Sequence, residues 1–481
     1  MPPALWLIAI PIGLAPIVYV LRRVGLGAIM AAIITFLSAW LAANLPTGIV
    51  LNLLGRPIAL DALSQTTLTL VFLATSILFL TLTLLSVAQE KRVTHFGKLT
   101  GQEGRVFYPA ALVILGLFVA ASLSRHLGIT AIFIELAAIL MVFVIQTQRL
   151  ESTRAALRFL TLVSLATPIF LLAAWRIDAY QLSGGIVSLV EIDQTAMLVG
   201  IGFAIWLAVI PFHGWLTSTA TESAPITAVF VLITFPMVVF STLINLFADL
   251  PWLINSSFLM NAIIIAGVAT AFVGGVWASM QRGFSELMGY AALYNIGCTL
   301  ALLGLGGQAA VLAILVNLTV RALALVLIAV STSTLYLRVA SDGFSYVSGV
   351  VREMPVAAAG LIIGGLTLAG TPFTAGFAPY WQLLRSAAAN NPNWVVFLVL
   401  GGLGVAVGYL RGLWALLGSD QSLESASKPL STHILQNTQE PSLLMIIIIV
   451  VAFVCILTGL FPALLIDPLR DTALRVPWLI P

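Results

Sequence analysis

Apolar runs of about 18 residues or more recur along nearly the whole chain, and this constrains the fold more than any other feature. Each run is long enough to cross the hydrocarbon layer as a helix. Sixty per cent of the 481 residues are hydrophobic and 8% are charged, too few charges to cover a soluble domain of this length. A membrane β-barrel would show short alternating segments, and none is seen. Hydropathy gives about fourteen spans, near 4–21, 25–45, 64–87, 107–124, 127–147, 156–175, 195–215, 223–247, 256–280, 285–305, 308–333, 355–380, 393–417 and 443–465. The polar connections between them are too short for a separate soluble domain, so residues 1–481 are read as one polytopic membrane domain.

Charge placement sets the expected orientation. No basic residue precedes the first run, and Arg22 and Arg23 follow it, which is not the order of a cleavable signal. Arg22, Arg23, Lys91, Arg92, Lys98, Arg105, Arg149, Arg154, Arg282, Arg338, Arg352 and Lys428 fall on one side. Arg56, Arg125, Arg176, Arg385, Arg470 and Arg475 fall on the other, a bias of about two to one. The richer side is expected to be cytoplasmic, with both termini outside, in a bacterial plasma membrane or a thylakoid.

Several chemistries are excluded by what is missing. Cys298 and Cys455 are far apart in sequence and lie inside apolar runs; there is no CxxC, no Walker A loop and no GxGxxG after a strand. No cofactor, metal site or redox centre of its own is expected, and no nucleic-acid partner.

The polar residues inside the spans carry the functional reading. Glu135 stands in IFIELAAILMVFVIQ (132–146), where a charge at mid-membrane costs roughly 2.5–3.5 kcal/mol on insertion scales. It is read as an ion or proton site, the structural alternative being a hydrogen-bonded carboxyl that packs two helices. Arg321 and Asn317 lie four apart on one helix face. Arginine does not release its proton, so Arg321 is read as a fixed counter-charge or barrier, or as half of a structural ion pair. AVIPFHGW (208–215) and LAGTPFTAG (368–376) place Pro-Phe in corresponding parts of the two halves, and each is a candidate broken helix. His213 and Glu222 flank the first break, with His213 expected to cap or hydrogen-bond rather than bind metal.

Four stretches carry a resemblance to a family: PIALDALSQ (57–65), FIEL (133–136), FAIWLAVIPFHGWL with ESAP (203–225), and GGVWASMQRGFSELMGYAALYNIG with LAGTPFTAGF (274–377). Over about 55–420 the chain resembles the antiporter-like membrane subunits of respiratory complex I, of Mrp-type cation/proton antiporters and of membrane-bound hydrogenases. The resemblance implies an all-α membrane fold of fourteen helices with two inverted five-helix repeats, about 107–247 and 256–417, each with a broken helix. It also implies a mid-membrane proton route of a helix 5 glutamate, lysines or histidines in helices 7, 8 and 11, and a lysine or glutamate in helix 12.

Carried over, that pattern holds in part. Glu135 matches the helix 5 glutamate. Trp206 and Val238 stand at the lysine positions of helices 7 and 8, Asn317 and Arg321 at the histidine and lysine positions of helix 11, and Tyr380 at the helix 12 position. WLTSTAT (215–221) lacks the usual aspartate. The chain ends soon after its last span and is expected to resemble the shorter, middle-type subunits. The expected function is an antiporter-like subunit of an NADH:quinone oxidoreductase or Mrp-type complex, with a partly degenerate proton pathway, other membrane subunits as partners, and peripheral redox subunits in the redox-driven case. The alternatives are a non-conducting structural subunit and an independent solute transporter.

Overall fold

The computed structural model describes residues 3–21, 26–48, 50–53, 56–90, 104–146, 152–182, 189–254, 256–339, 341–418 and 440–476. Seven of the twelve charges on the richer side (Arg22, Arg23, Lys91, Arg92, Lys98, Arg149 and Lys428) lie outside the described residues.

Helices α1 (Pro3–Leu21) and α2 (Gly27–Asn44) precede a hairpin, β1 (Val50–Leu53) with β2 (Arg56–Ala59), in antiparallel register. This hairpin is an addition to the all-α expectation. It is tied to the bundle by a bridge between Ile58 and Ser124. There follow α3 (Ala62–Glu90), α4 (Gly104–Leu123), α5 (Leu127–Gln146), α6 (Ser152–Leu182), α7 (Leu189–Trp206), α8 (Gly214–Glu222), α9 (Pro225–Asp249) and the short α10 (Pro251–Ile254). The chain continues with α11 (Ser257–Met280), α12 (Phe284–Leu305), α13 (Gln308–Leu335), α14 (Pro355–Ala369), α15 (Phe377–Asn390), α16 (Pro392–Leu417), α17 (Ser442–Leu460) and α18 (Ala463–Leu474). Twelve of the described helices are long and apolar enough to cross a membrane. Helices suit that role because every backbone N–H and C=O must find its partner without water.

Two interruptions stand out. Helix α7 stops at Trp206 and α8 starts at Gly214; α14 stops at Ala369 and α15 starts at Phe377. Each gap contains one Pro-Phe pair, and in each a non-glycine residue adopts positive φ, Ala208 at 54° and Phe373 at 67°. Proline supplies no N–H and crowds the preceding turn, which favours a helix end there, although α9 runs on through Pro236. The freed groups find other partners, as buried backbone requires. Trp215 Nε1 donates to the Ile205 carbonyl at 3.1 Å across the first gap, and the Ile210 N–H reaches Thr270 Oγ1 on α11 at 3.3 Å.

The centre of the bundle is α9, buried along its whole candidate span, with α12 and α13 nearly so. Close approach there depends on missing side chains. A Cβ on Gly267 would lie 2.5 Å from the Ala301 nitrogen, and one on Gly274 would lie 2.8 Å from the Tyr294 nitrogen. Gly275 and Gly404 likewise bring α11 and α16 together backbone to backbone. Small residues replace the hydrophobic effect as the means of association in lipid. On one rim of the bundle Arg125 joins Asp61 at 2.9 Å and Asp249 at 3.4 Å, while Asp61 caps α3 through the Ser64 N–H. Gly267→Val is expected to abolish recovery of monodisperse protein by size-exclusion chromatography, whereas Gly13→Val, in open space on α1, leaves it unchanged.

Candidate functional site

Glu135 lies on α5 and turns toward α6. Ser164 Oγ donates to its Oε1 at 2.5 Å, and Thr167 Oγ1 donates to its Oε2 at 2.7 Å. The two hydroxyls stand three residues apart, on one face of α6. The carboxyl group is only half-buried. Ile132, Leu136 and Ile139 beside it on α5, and Leu165 on α6, are exposed. Glu135 therefore sits at the perimeter of the bundle, between α5 and α6, with two hydroxyl donors.

Arg321 is elsewhere and fully buried. Its Nε and Nη2 both donate to the Leu232 carbonyl of α9, at 3.3 and 3.1 Å. Its Nη1 donates to the Ala292 carbonyl at 2.7 Å and to Asn295 Oδ1 at 3.3 Å, both on α12. The Leu232 carbonyl is available for a simple reason. In a helix it would accept from the N–H of residue 236, and residue 236 is proline. The guanidinium fills the acceptor that the proline leaves open. Among the described residues no carboxylate lies within ion-pair distance of Arg321, so its neighbours are dipoles rather than charges. The two residues singled out in the sequence, Glu135 and Arg321, are thus not partners.

From Arg321 a polar chain runs along α12 and α13. Asn295 Nδ2 donates to Asn317 Oδ1 at 3.0 Å, Asn317 Nδ2 donates to Thr299 Oγ1 at 2.8 Å, and the Thr299 hydroxyl donates to the Asn295 carbonyl at 2.9 Å. Beside it is a cavity of about 10 Å³, lined in part by Tyr294, Asn295, Cys298, Asn317, Thr367 and Tyr380. That is room for the centre of about one water molecule. The buried Tyr294 hydroxyl has no hydrogen-bond partner of good geometry, while Tyr380 donates to the Leu398 carbonyl at 3.2 Å. Asn317 and Tyr380, chosen from different spans, are brought to one cavity.

The other expected positions are dry. Trp206 is fully buried; its Nε1 donates to the Val163 carbonyl at 3.2 Å, one residue from the serine that binds Glu135. Its ring lies 4.1 Å from Phe170 and 6.3 Å from Phe235, centroid to centroid. Phe235 in turn meets Phe159 at 5.6 Å, Trp215 at 5.5 Å and Phe118 at 6.3 Å. Val238 is fully buried one turn further along α9. Aromatic edges and faces fill the space around Trp206 and Val238, the two positions that the resemblance matched to lysines.

His213 is the last residue of the first gap, and Glu222 is not at the gap but at the far end of α8. His213 caps α8 with its carbonyl, which accepts from Leu216 at 3.2 Å, and not with its side chain, whose Nδ1 is buried without a partner. Glu222 Oε1 is 4.0 Å from Arg158, and its Oε2 is buried and unpartnered.

Sequence reasoning missed Ser164, Thr167, Tyr294, Asn295, Thr299 and Pro236. One signal was available: Asn295 with Thr299, like Asn317 with Arg321, forms a polar pair four residues apart in an apolar helix.

This geometry defines a class: a polytopic membrane protein with interrupted helices and a few polar groups held inside the bundle. The family model "NADH:quinone oxidoreductase/Mrp antiporter, TM" matches residues 124–404. The chain belongs to that family. It is 25% identical over 395 residues to formate hydrogenlyase subunit 3 of Escherichia coli (strain K12), covering 77% of this chain and 61% of that one. It is 28% identical over 307 residues to NADH-quinone oxidoreductase subunit N of Ectopseudomonas mendocina, covering 62% of this chain and 60% of that one. The chain thus spans about three-fifths of the length of these relatives. A chain in the Mrp complex from Dietzia sp. superposes with a TM-score of 0.80 at 16% identity, covering 99% of this chain and 98% of that one. A chain of respiratory complex I from Thermus thermophilus gives 0.74 at 19%, covering 99% and 100%. Both likenesses concern the fold.

The arginine–proline pairing predicts a coupling. Arg321→Met should cost about 2 kcal/mol, because it orphans the Leu232 carbonyl. Pro236→Ala restores the helix N–H to that carbonyl, so the same change in that background should cost about 1 kcal/mol less. Thermal unfolding of the four proteins in detergent measures the cycle; strictly additive costs would contradict the pairing.

Proposed function

We propose that this chain is an antiporter-like membrane subunit of a larger ion-translocating complex, of the NADH:quinone oxidoreductase or the Mrp type, and that its own ion route is incomplete. Support for the architecture comes from the twelve continuous spans and the two interrupted helices, α7–α8 and α14–α15. Counted together they make fourteen crossings, in one polytopic domain with inverted repeats near 107–247 and 256–417 and both termini on the non-cytoplasmic side. The matching Pro-Phe gaps and the positive-φ residues Ala208 and Phe373 favour this pairing of halves.

The observation that carries the functional reading is the position of Glu135. It is a carboxyl group with two hydroxyl donors, held at the bundle edge and backed by the Trp206–Phe235 cluster. In this reading it exchanges protons or cations at the α5–α6 edge with a neighbouring membrane subunit, and not inward through Trp206 and Val238. Asn317 and Tyr380, with water in their cavity, form a second polar station. Arg321 is the fixed positive charge behind it. His213 offers a polar atom at the first break, and Glu222 one at the far end of α8. Partners are other membrane subunits and lipid, with peripheral redox subunits in a redox-driven assembly. A second reading, a non-conducting structural subunit, is favoured by the aromatic seal at Trp206.

Glu135→Gln separates the two. It keeps one acceptor oxygen, turns the other hydrogen bond into one that the amide donates to a hydroxyl, and removes the charge. In the purified complex, reconstituted in vesicles, ion translocation should fall by about tenfold or more with assembly unchanged. Unaltered translocation by a fully assembled complex would select the structural reading. Mass analysis of the co-purifying subunits then identifies the type of complex.

A further inference from the structure

We propose that α17, which lies outside both repeats, is a clamp that fixes the second helix break and thereby the shape of the Tyr380 cavity. The two breaks are held differently. The first is stapled from within its own helix by Trp215 and from α11 by Thr270. At the second, the Ala375 N–H donates to the Cys455 carbonyl of α17 at 2.9 Å. One turn along the same face of α17, Gly459 lies directly against the backbone of Phe373 and Thr374: a Cβ there would be 2.7 Å from the Phe373 carbonyl carbon. The Cys455 thiol faces the Thr367 hydroxyl.

These contacts account for a strained residue. Phe373 holds φ at 67°, a region that disfavours a bulky side chain, and its ring is 72% exposed. Packing of the ring therefore does not impose the conformation. Strained backbone persists only where its surroundings over-determine it, and here the surroundings are α17. The clamped segment also builds the cavity, since Thr367, Gly370, Gly376 and Tyr380 all line it. Gly459 and Cys455 act through that segment and are positioning residues.

Cys298 reports on the cavity it lines. With Cys455→Ser as the reference background, Cys298 is the only thiol. Its alkylation by N-ethylmaleimide is followed by mass in the intact, purified complex. Gly459→Ala and Gly459→Val should speed labelling in order of size, the valine by about fivefold or more, as expected when a local contact is lost. Gly13→Val, in open space on α1, is the control and should match the reference. A reference-like rate in an assembled Gly459→Val complex would overturn the proposal. Where that variant fails to assemble, Ala375→Pro decides by the same criterion, because it removes the N–H to Cys455 and adds nothing to α17.

Discussion

The centre of this protein depends on a carbonyl that a proline leaves unpaired. Pro236 interrupts the hydrogen-bond ladder of the most deeply buried helix, and Arg321 from α13 supplies the missing donors twice over. The same guanidinium reaches α12, so three central helices are joined at one point. An arginine buried without a carboxylate would ordinarily be very costly. Here four of its five N–H groups are directed at oxygen atoms, so the cost is met by dipoles, one of which, the Leu232 carbonyl, lacks its helix partner.

That arrangement divides the molecule. On one side of α9, Trp206, Trp215, Phe159 and Phe235 pack edge to face. On the other, Asn295, Asn317 and Thr299 continue from Arg321 to a small cavity with tyrosine hydroxyls. Glu135 lies beyond the aromatic side, at the edge of the bundle. The polar groups are therefore not one continuous chain. They form an edge group and an inner group with an aromatic layer between them.

Much of the fold was legible because lipid leaves the chain few options. Run length located the spans, and Pro-Phe located both gaps, since proline acts through the local backbone. The hairpin of β1 and β2 was not legible: its strands are only four residues each and lie in the short connection between two spans. For the candidate site, residues were legible and their partners were not. Glu135, Asn317 and Arg321 stood out as polar groups in apolar runs, while Tyr380 came from the family resemblance alone. That Arg321 answers Pro236, and that Glu135 answers Ser164 and Thr167, depends on contacts between helices, which hydropathy does not encode. Glu222 was placed at the break because it is near in sequence; an intervening helix carries it away.

The division into an aromatic-packed half and a half with a polar cavity is tested most directly by hydroxyl-radical footprinting of the purified complex with residue-level mass spectrometry. Water inside the second half should oxidise Tyr294, Tyr380 and Cys298 about tenfold faster than Trp206, Trp215 and Phe235. Tryptophan is at least as reactive as tyrosine, so slow oxidation of Trp206 reports exclusion of water. Comparable rates in the two groups would mean that water reaches the aromatic layer and would contradict this account.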